Sequence, residues 1–279
     1  MKVIEDISEM QTLAAQLRQE GRTIGFVPTM GALHQGHLSL MDHAKKVCDA
    51  VIVSIFINPA QFGHEEDLNQ YPRDMEGDVE KTRSAGVDIL FTPVPSGIYP
   101  EGFRTYVSVE GLSETLCGKT RPGHFQGVST VVLKLLNIIK PHQSFFGQKD
   151  YQQTVVIRRM VKDLNVDTEI IVLPTVREAD GLAMSSRNQY LKNGGRKTAA
   201  VIYRSLLQAG RLFESGVSGA DKLRKTIFSV IKEEPSVQTE YISVINPETL
   251  EEETFADNGT VIVIAARIGN TRLIDNIIL

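Results

Sequence analysis

The segment Pro28-Thr29-Met30-Gly31-Ala32-Leu33-His34-Gln35-Gly36-His37-Leu38 places two histidines three residues apart, where an apolar run ends and a helical pattern begins. Residues three apart share a face of a helix, so both imidazoles point to one place. At a helix start, unused backbone N–H groups and the positive end of the helix dipole favour an anion such as phosphate. Gly31 and Gly36 have no Cβ, so a flat ring, a sugar or a phosphate can approach the main chain closely. Two imidazole donors beside a phosphate would stabilise the charge that develops during displacement at phosphorus. As a metal pair the histidines lack a third ligand at zinc-like spacing, and HExxH is absent. The patterns GxxxxGKS/T, GxGxxG and GxSxG are also missing, which disfavours a P-loop kinase, a dinucleotide oxidoreductase and the simplest serine hydrolase.

These residues need a scaffold, and the hydrophobic pattern supplies one. Apolar runs at Thr23–Val27, stopped by Pro28, Ala50–Ile57, Val87–Phe91, Gln143–Phe146 and Thr168–Leu173 read as buried strands. They alternate with helical patterns at Ile7–Glu20, Leu38–Cys48, Asp74–Ala85, Val128–Ile139 and Asp150–Asn165. Continuous apolar strands separated by helices mean a parallel sheet covered on both faces. Thr92–Phe125 reads as loop with a short strand at Tyr106–Val109. Beyond Asn188 the rhythm changes to helices at Arg196–Glu214 and Ala220–Glu233 and strands at Glu240–Ile245 and Val261–Ala266. The expectation is an α/β fold, a doubly wound, Rossmann-like parallel sheet over 1–187, with a small α+β C-terminal domain over 188–279. In such a sheet, ligands bind at the carboxyl ends of the strands, where the two-histidine segment lies.

Composition narrows the class further. The 279 residues can build a sizeable core, and 30 Lys and Arg against 34 Asp and Glu leave no basic field for nucleic acid or an anionic membrane. Cys48 and Cys117 are far apart and form no CxxC pair, so they read as core filler in a reducing compartment. The opening MKVIEDISEM has acids and no long apolar run, so it does not read as a signal peptide, and no stretch is apolar enough to span a bilayer. A cytoplasmic location is expected. The sequon Asn258-Gly259-Thr260 reads as a turn.

Further blocks accompany the two-histidine segment: Asn58-Pro59-Ala60-Gln61-Phe62-Gly63, Tyr71-Pro72-Arg73, Arg121-Pro122-Gly123-His124-Phe125, Phe146-Gly147-Gln148-Lys149-Asp150-Tyr151-Gln152-Gln153 and Arg177 through Asn188. In type and order they resemble the pantoate–β-alanine ligase family of the HxGH nucleotidyltransferases, over about residues 24–190. Gln35 stands where that family often has Glu. Taken singly, Gln61 and Gln153 would read as surface amides, Lys149-Asp150 as a solvated pair and Ser185-Ser186 as a cap. Their joint order sets them apart.

The resemblance implies a two-step condensation. The carboxylate of (R)-pantoate attacks the α-phosphorus of ATP, and the amine of β-alanine then displaces AMP from the pantoyl adenylate, giving pantothenate, AMP and diphosphate. It implies ATP as co-substrate, Mg2+, and a homodimer. His34 and His37 are then catalytic, with His37 in the proton-donor role, a role hard to separate from fixed electrostatic stabilisation. Met30, Gly31, Ala32, Leu33, His34, Gln35, Gly36 and His37 line the nucleotide. Gly147, Gln148, Lys149 and Asp150 also contact it, with Lys149 on phosphate and Asp150 near the ribose or the magnesium. Val176 touches adenine through its backbone, and Met184, Ser185, Ser186 and Arg187 form a second phosphate loop. Gln61 and Gln153 bind pantoate, Gln61 bordering β-alanine. No protein metal ligand is assigned. His43, His64 and His142 read as structural, and no role is derived for His124. The last 90 or so residues, past the matched blocks, are expected to act as a lid. Two other readings stand beside this one: transfer of AMP to a phosphate acceptor by a relative with the same histidine loop, and a nucleotide-responsive binding protein without turnover.

Overall fold

The computed structural model describes residues 1–63, 67–192 and 194–279; His64 lies outside the described residues. In chain order the elements are β1 (Lys2–Ile4), α1 (Ile7–Gln19), β2 (Ile24–Thr29), α2 (Gln35–Val47), β3 (Ala50–Ile55), α3 (Met75–Ser84), β4 (Ile89–Phe91), α4 (Pro95–Ile98), α5 (Cys117–Thr120) and α6 (His124–Ile139). They continue with β5 (Gln143–Gly147), α7 (Tyr151–Asp163), β6 (Glu169–Leu173), α8 (Gly195–Glu214), α9 (Ala220–Ile231), β7 (Val237–Ile245), β8 (Val261–Ile268) and β9 (Thr271–Ile278). The chain divides into two compact units, Met1–Gly147 with Val156–Pro174, and Gln148–Val155 with Thr175–Leu279.

The first unit is built on a parallel sheet in the order β1-β4-β3-β2-β5-β6. Its strands are apolar without alternation because both faces are covered, and every residue of β3 is buried. Met41 and Ala44 of α2 pack with Val51, Val53, Leu90 and Phe145. The order reverses at β2, since β3 and β4 follow on one side and β5 and β6 on the other. β2 pairs with β3 along Ile24–Thr29, but only Gly25 and Phe26 are in register with β5. Past Phe26 the two strands part, and the crevice of a doubly wound sheet opens between their carboxyl ends.

This parting corrects the expectation that Pro28 stops the strand. β2 runs on through Pro28 to Thr29. Proline has no N–H to donate, and beyond Phe26 no β5 partner asks for one. The short strand expected at Tyr106–Val109 does not form. The Val107 N–H instead donates to the Thr130 hydroxyl on α6 (2.9 Å), a side chain taking the place of a ladder. His142 is structural as expected, its Nδ1 accepting the Ile24 N–H (2.9 Å). Both cysteines are buried, and neither forms a disulfide.

The second unit packs α8 and α9 on the antiparallel sheet β7-β8-β9, with Ile202, Leu206, Leu223, Ile227, Ile262 and Ile264 in its core. Segments 148–155 and 175–187, read from the sequence with the first domain, cluster here because their polar groups bond to β9. Gly259 is in the left-handed region (φ 99°), in keeping with a turn at the sequon. Among the described residues no helix is long and apolar enough to cross a membrane.

Gly127 on α6 lies against the 3-10 turn Pro59–Gln61 in the first unit. A Cβ at Gly127 would fall inside the Ala60 carbonyl and close on the Gln61 amide nitrogen, both backbone atoms that cannot swing aside. Gly127→Ala is therefore expected to destabilise the protein by about 1–3 kcal/mol, the usual range for overpacking. A urea unfolding midpoint equal to wild type would refute the tight approach.

Candidate active site

The turn after β2 is held by one carboxylate. Asp78, on α3 and 1% exposed, accepts the N–H of Ala32 through Oδ2 (2.7 Å) and of Leu33 through Oδ1 (2.8 Å). Lys81 stands 3.6 Å from the same group. Thr29 completes the turn, donating to the Ser54 carbonyl (2.7 Å) and accepting the Gly31 N–H (3.2 Å). Gly31 has φ 84°, which strains any residue with a Cβ, and a Cβ there would crowd Asp78 Oδ2 at 3.0 Å, so both counts favour glycine.

The turn delivers the chain into α2, whose first turn is closed by its own histidines. His34 is the N-cap, and its Nδ1 accepts the Gly36 N–H (3.1 Å). The Nδ1 of His37 accepts the His34 N–H (3.3 Å). This is a reciprocal capping box made by two imidazoles. Because both Nδ1 atoms accept, each neutral ring carries its proton on Nε2. The ring centroids lie 4.1 Å apart, as the shared-face reading requires. Gln35 is exposed between them.

Gln61 is buried, not a surface amide, and both ends of its side chain are engaged. Asn58 accepts the Ala60 N–H (3.3 Å) and the Tyr99 hydroxyl (2.7 Å) through Oδ1, so its Nδ2 must donate. That nitrogen bonds to the Gly127 carbonyl (3.1 Å) and to Gln61 Oε1 (3.0 Å). Gln61 is thereby oriented with Nε2 toward Met30, 3.0 Å from its Sδ. Burial, with Tyr106 nearby, pushes the Tyr99 hydroxyl up to about 12, so it stays a neutral donor. His124 also acquires a place: its Nδ1 bonds to the Gln61 carbonyl (2.8 Å), and Arg121 bonds to its Nε2 (3.0 Å).

In the second unit, Gln148–Asp150 form a 3-10 turn leading into α7, with the Lys149 ammonium 3.5 Å from Asp150. Gln153 is half-buried on the first turns of α7. Val176 and Met184 are neighbours, the Met184 N–H donating to the Val176 carbonyl (3.0 Å), and Arg177 pairs with Ala183 beside them. Ser185 caps the following 3-10 turn by accepting the Arg187 N–H (3.3 Å). The expected nucleotide residues thus form two groups: Met30–His37 and Gly147 in the first unit, and Gln148–Asp150, Val176 and Met184–Arg187 in the second. Gln61 lies in the first and Gln153 in the second.

A family model described as Pantoate-beta-alanine ligase matches residues 2–278. The chain belongs to this family. It is therefore a ligase. A pantothenate synthetase of Thermodesulfovibrio yellowstonii is 53% identical over 279 residues, covering 100% of this chain and 99% of that protein. The crystal structure of pantothenate synthetase from Thermus thermophilus matches with a TM-score of 0.95 and 44% identity over 99% of both chains. That of the Francisella tularensis pantoate-beta-alanine ligase, complexed with beta-gamma ATP and beta-alanine, matches with a TM-score of 0.84 and 39% identity, covering 100% of this chain and 97% of that one.

Sequence reasoning missed Asp78, Asn58 as an orienting group and Tyr99. Asp78→Ala would leave two buried N–H groups without acceptors, each costing about 1–3 kcal/mol. Its urea unfolding free energy should fall by at least about 2 kcal/mol, with adenylation lost in the folded fraction. Wild-type stability in this variant would show that the carboxylate does not hold the turn.

Proposed function

We propose that the chain condenses (R)-pantoate with β-alanine at the expense of ATP, releasing AMP and diphosphate through a pantoyl adenylate, and so serves pantothenate and coenzyme A synthesis. A free carboxylate is inert to amines near neutral pH because it has no adequate leaving group, and a mixed anhydride with AMP supplies one. The observation that carries the reading is the pair of imidazoles fixed by backbone donors at a helix start, each with its proton on Nε2. Two such donors suit the phosphate oxygens of ATP, where charge accumulates as diphosphate leaves. We assign His37 and His34 this catalytic part.

Met30–His37 and Gly147–Asp150 take the nucleotide, with Lys149 on phosphate, Val176 at the adenine and Met184–Arg187 as the second phosphate loop. Gln61 and Gln153 take pantoate. The orientation of Gln61, with Oε1 held by Asn58 and the donor Nε2 beside Met30, supports this, since pantoate offers hydroxyl and carboxylate oxygens as acceptors and a neutral donor leaves the nucleophile charged. Among the described residues no group of three or more His, Cys, Asp or Glu could hold a metal ion. Mg2+ would enter as the partner of ATP and neutralise phosphate charge, with Asp150 near the ribose or the magnesium. We further read the chain as cytoplasmic and homodimeric.

ATP–diphosphate exchange tests the first half-reaction. With Mg2+ and (R)-pantoate, and without β-alanine, exchange should appear and depend on pantoate. No exchange, with product formed from a phosphorylated acceptor, would move the chain to AMP transfer, and silence in both assays would favour a binding role. His37→Ala should keep the fold and lose about 100-fold or more of the exchange rate, as loss of one such donor does. In sedimentation at micromolar concentration, a mass near 30.9 kDa would overturn the dimer.

A further inference from the structure

The turn that carries Lys149 is fixed by a residue more than a hundred positions away. Asn276 on β9 is 1% exposed. Its Nδ2 donates to the carbonyls of Gln148 (3.0 Å) and Lys149 (3.0 Å), and its Oδ1 accepts from Gln148 Nε2 (3.1 Å). One side-chain amide therefore commits both a donor group and an acceptor to a single three-residue turn. The two carbonyls also fix which end of the amide faces them, because only the nitrogen can donate.

Asn276 is itself immobilised. Its N–H donates to Asp275 Oδ1 (2.8 Å), and its carbonyl accepts from Arg177 (3.3 Å). Arg177 holds both oxygens of the buried Asp275 carboxylate (2.6 and 2.9 Å), lies over the Tyr203 ring at 3.7 Å and donates to the Gly181 carbonyl (3.1 Å). A bidentate pair capped by an aromatic face allows little movement. An apolar residue of similar size would fill a buried site on β9 without the desolvation cost of an amide. That cost is offset through the bonds to Gln148 and Lys149.

We propose that Asn276 is a positioning residue for Lys149, fixing the turn so that the ammonium is presented to the nucleotide phosphates. This rests on the reading of Lys149 as a phosphate ligand, and places part of the ATP-binding apparatus in the last strand of the C-terminal sheet.

Steady-state kinetics of Asn276→Ala, Lys149→Ala and the double variant test it, with ATP and pantoate varied separately. Asn276→Ala should raise the KM for ATP on the order of 10-fold, as expected for a misplaced binding group, and leave the KM for pantoate within about twofold of wild type. The double variant should be no worse than Lys149→Ala alone, because the effect runs through that side chain. Equal effects on both substrates, additive losses, or wild-type kinetics in a folded Asn276→Ala would overturn the proposal. Wild-type ATP kinetics in Lys149→Ala would instead remove the reading of Lys149. Should Asn276→Ala fail to fold, the near-isosteric Asn276→Asp keeps the acceptor and turns a carboxylate on the two carbonyls. The same selective rise in the KM for ATP is expected there, and its absence counts equally against the proposal.

Discussion

Two neighbouring strands that stop pairing after their second shared residue set the conditions for everything at this site. Past Phe26, β2 has β3 on one side and no partner in register on the other. Main chain released from a ladder must find other partners, since a buried N–H or carbonyl without one is costly. Pro28 removes one such demand, and Thr29 and Asp78 meet those that follow. The turn that results is rigid because its amides are bonded to a carboxylate out of solvent's reach. It is also what sets the start of α2, and with it the direction of both imidazoles.

A common polarity runs through the groups so positioned. Each histidine uses Nδ1 as an acceptor for the main chain, which leaves the proton on the other nitrogen. Gln61 has its oxygen occupied by Asn58, which leaves its nitrogen to donate. In both cases the orientation is decided by backbone groups that cannot reverse their roles. Donors set in advance need no reorganisation when negative charge arrives, and this is where preorganised sites gain most over water. ATP and pantoate are both rich in acceptor oxygens, so a site of fixed donors suits them.

What was legible in the sequence follows from distance along the chain. The i, i+3 relation of His34 and His37 is local, so spacing alone gave their shared face, and the unbroken apolar character of β3 gave a covered parallel sheet. Gln61 and Lys149 were legible as members of ordered blocks. Asp78 was not: in MEGDVEKTRS it reads as one more acid in the first turn of a polar helix, and its partners lie 45 and 46 residues earlier. β9 was missed because Asp275 and Asn276 interrupt its apolar run; both are buried, and what accounts for them is Arg177 and the Gln148–Asp150 turn, unseen in the local pattern. The strand expected at Tyr106–Val109 failed for a similar reason, its amide having found a threonine on α6.

The bond between Asn276 and Gln148 spans 128 positions of the chain, and this has a bearing on synthesis. A ribosome makes the parallel sheet first, and N-terminal units generally fold as they emerge. The Gln148–Asp150 turn is translated with that sheet, yet the amide that holds its carbonyls is added more than a hundred residues later. A nascent chain can thus build the crevice and its two histidines while the lysine turn still lacks its anchor. The carbonyls of the lysine turn gain this side-chain partner only once β9 has been made.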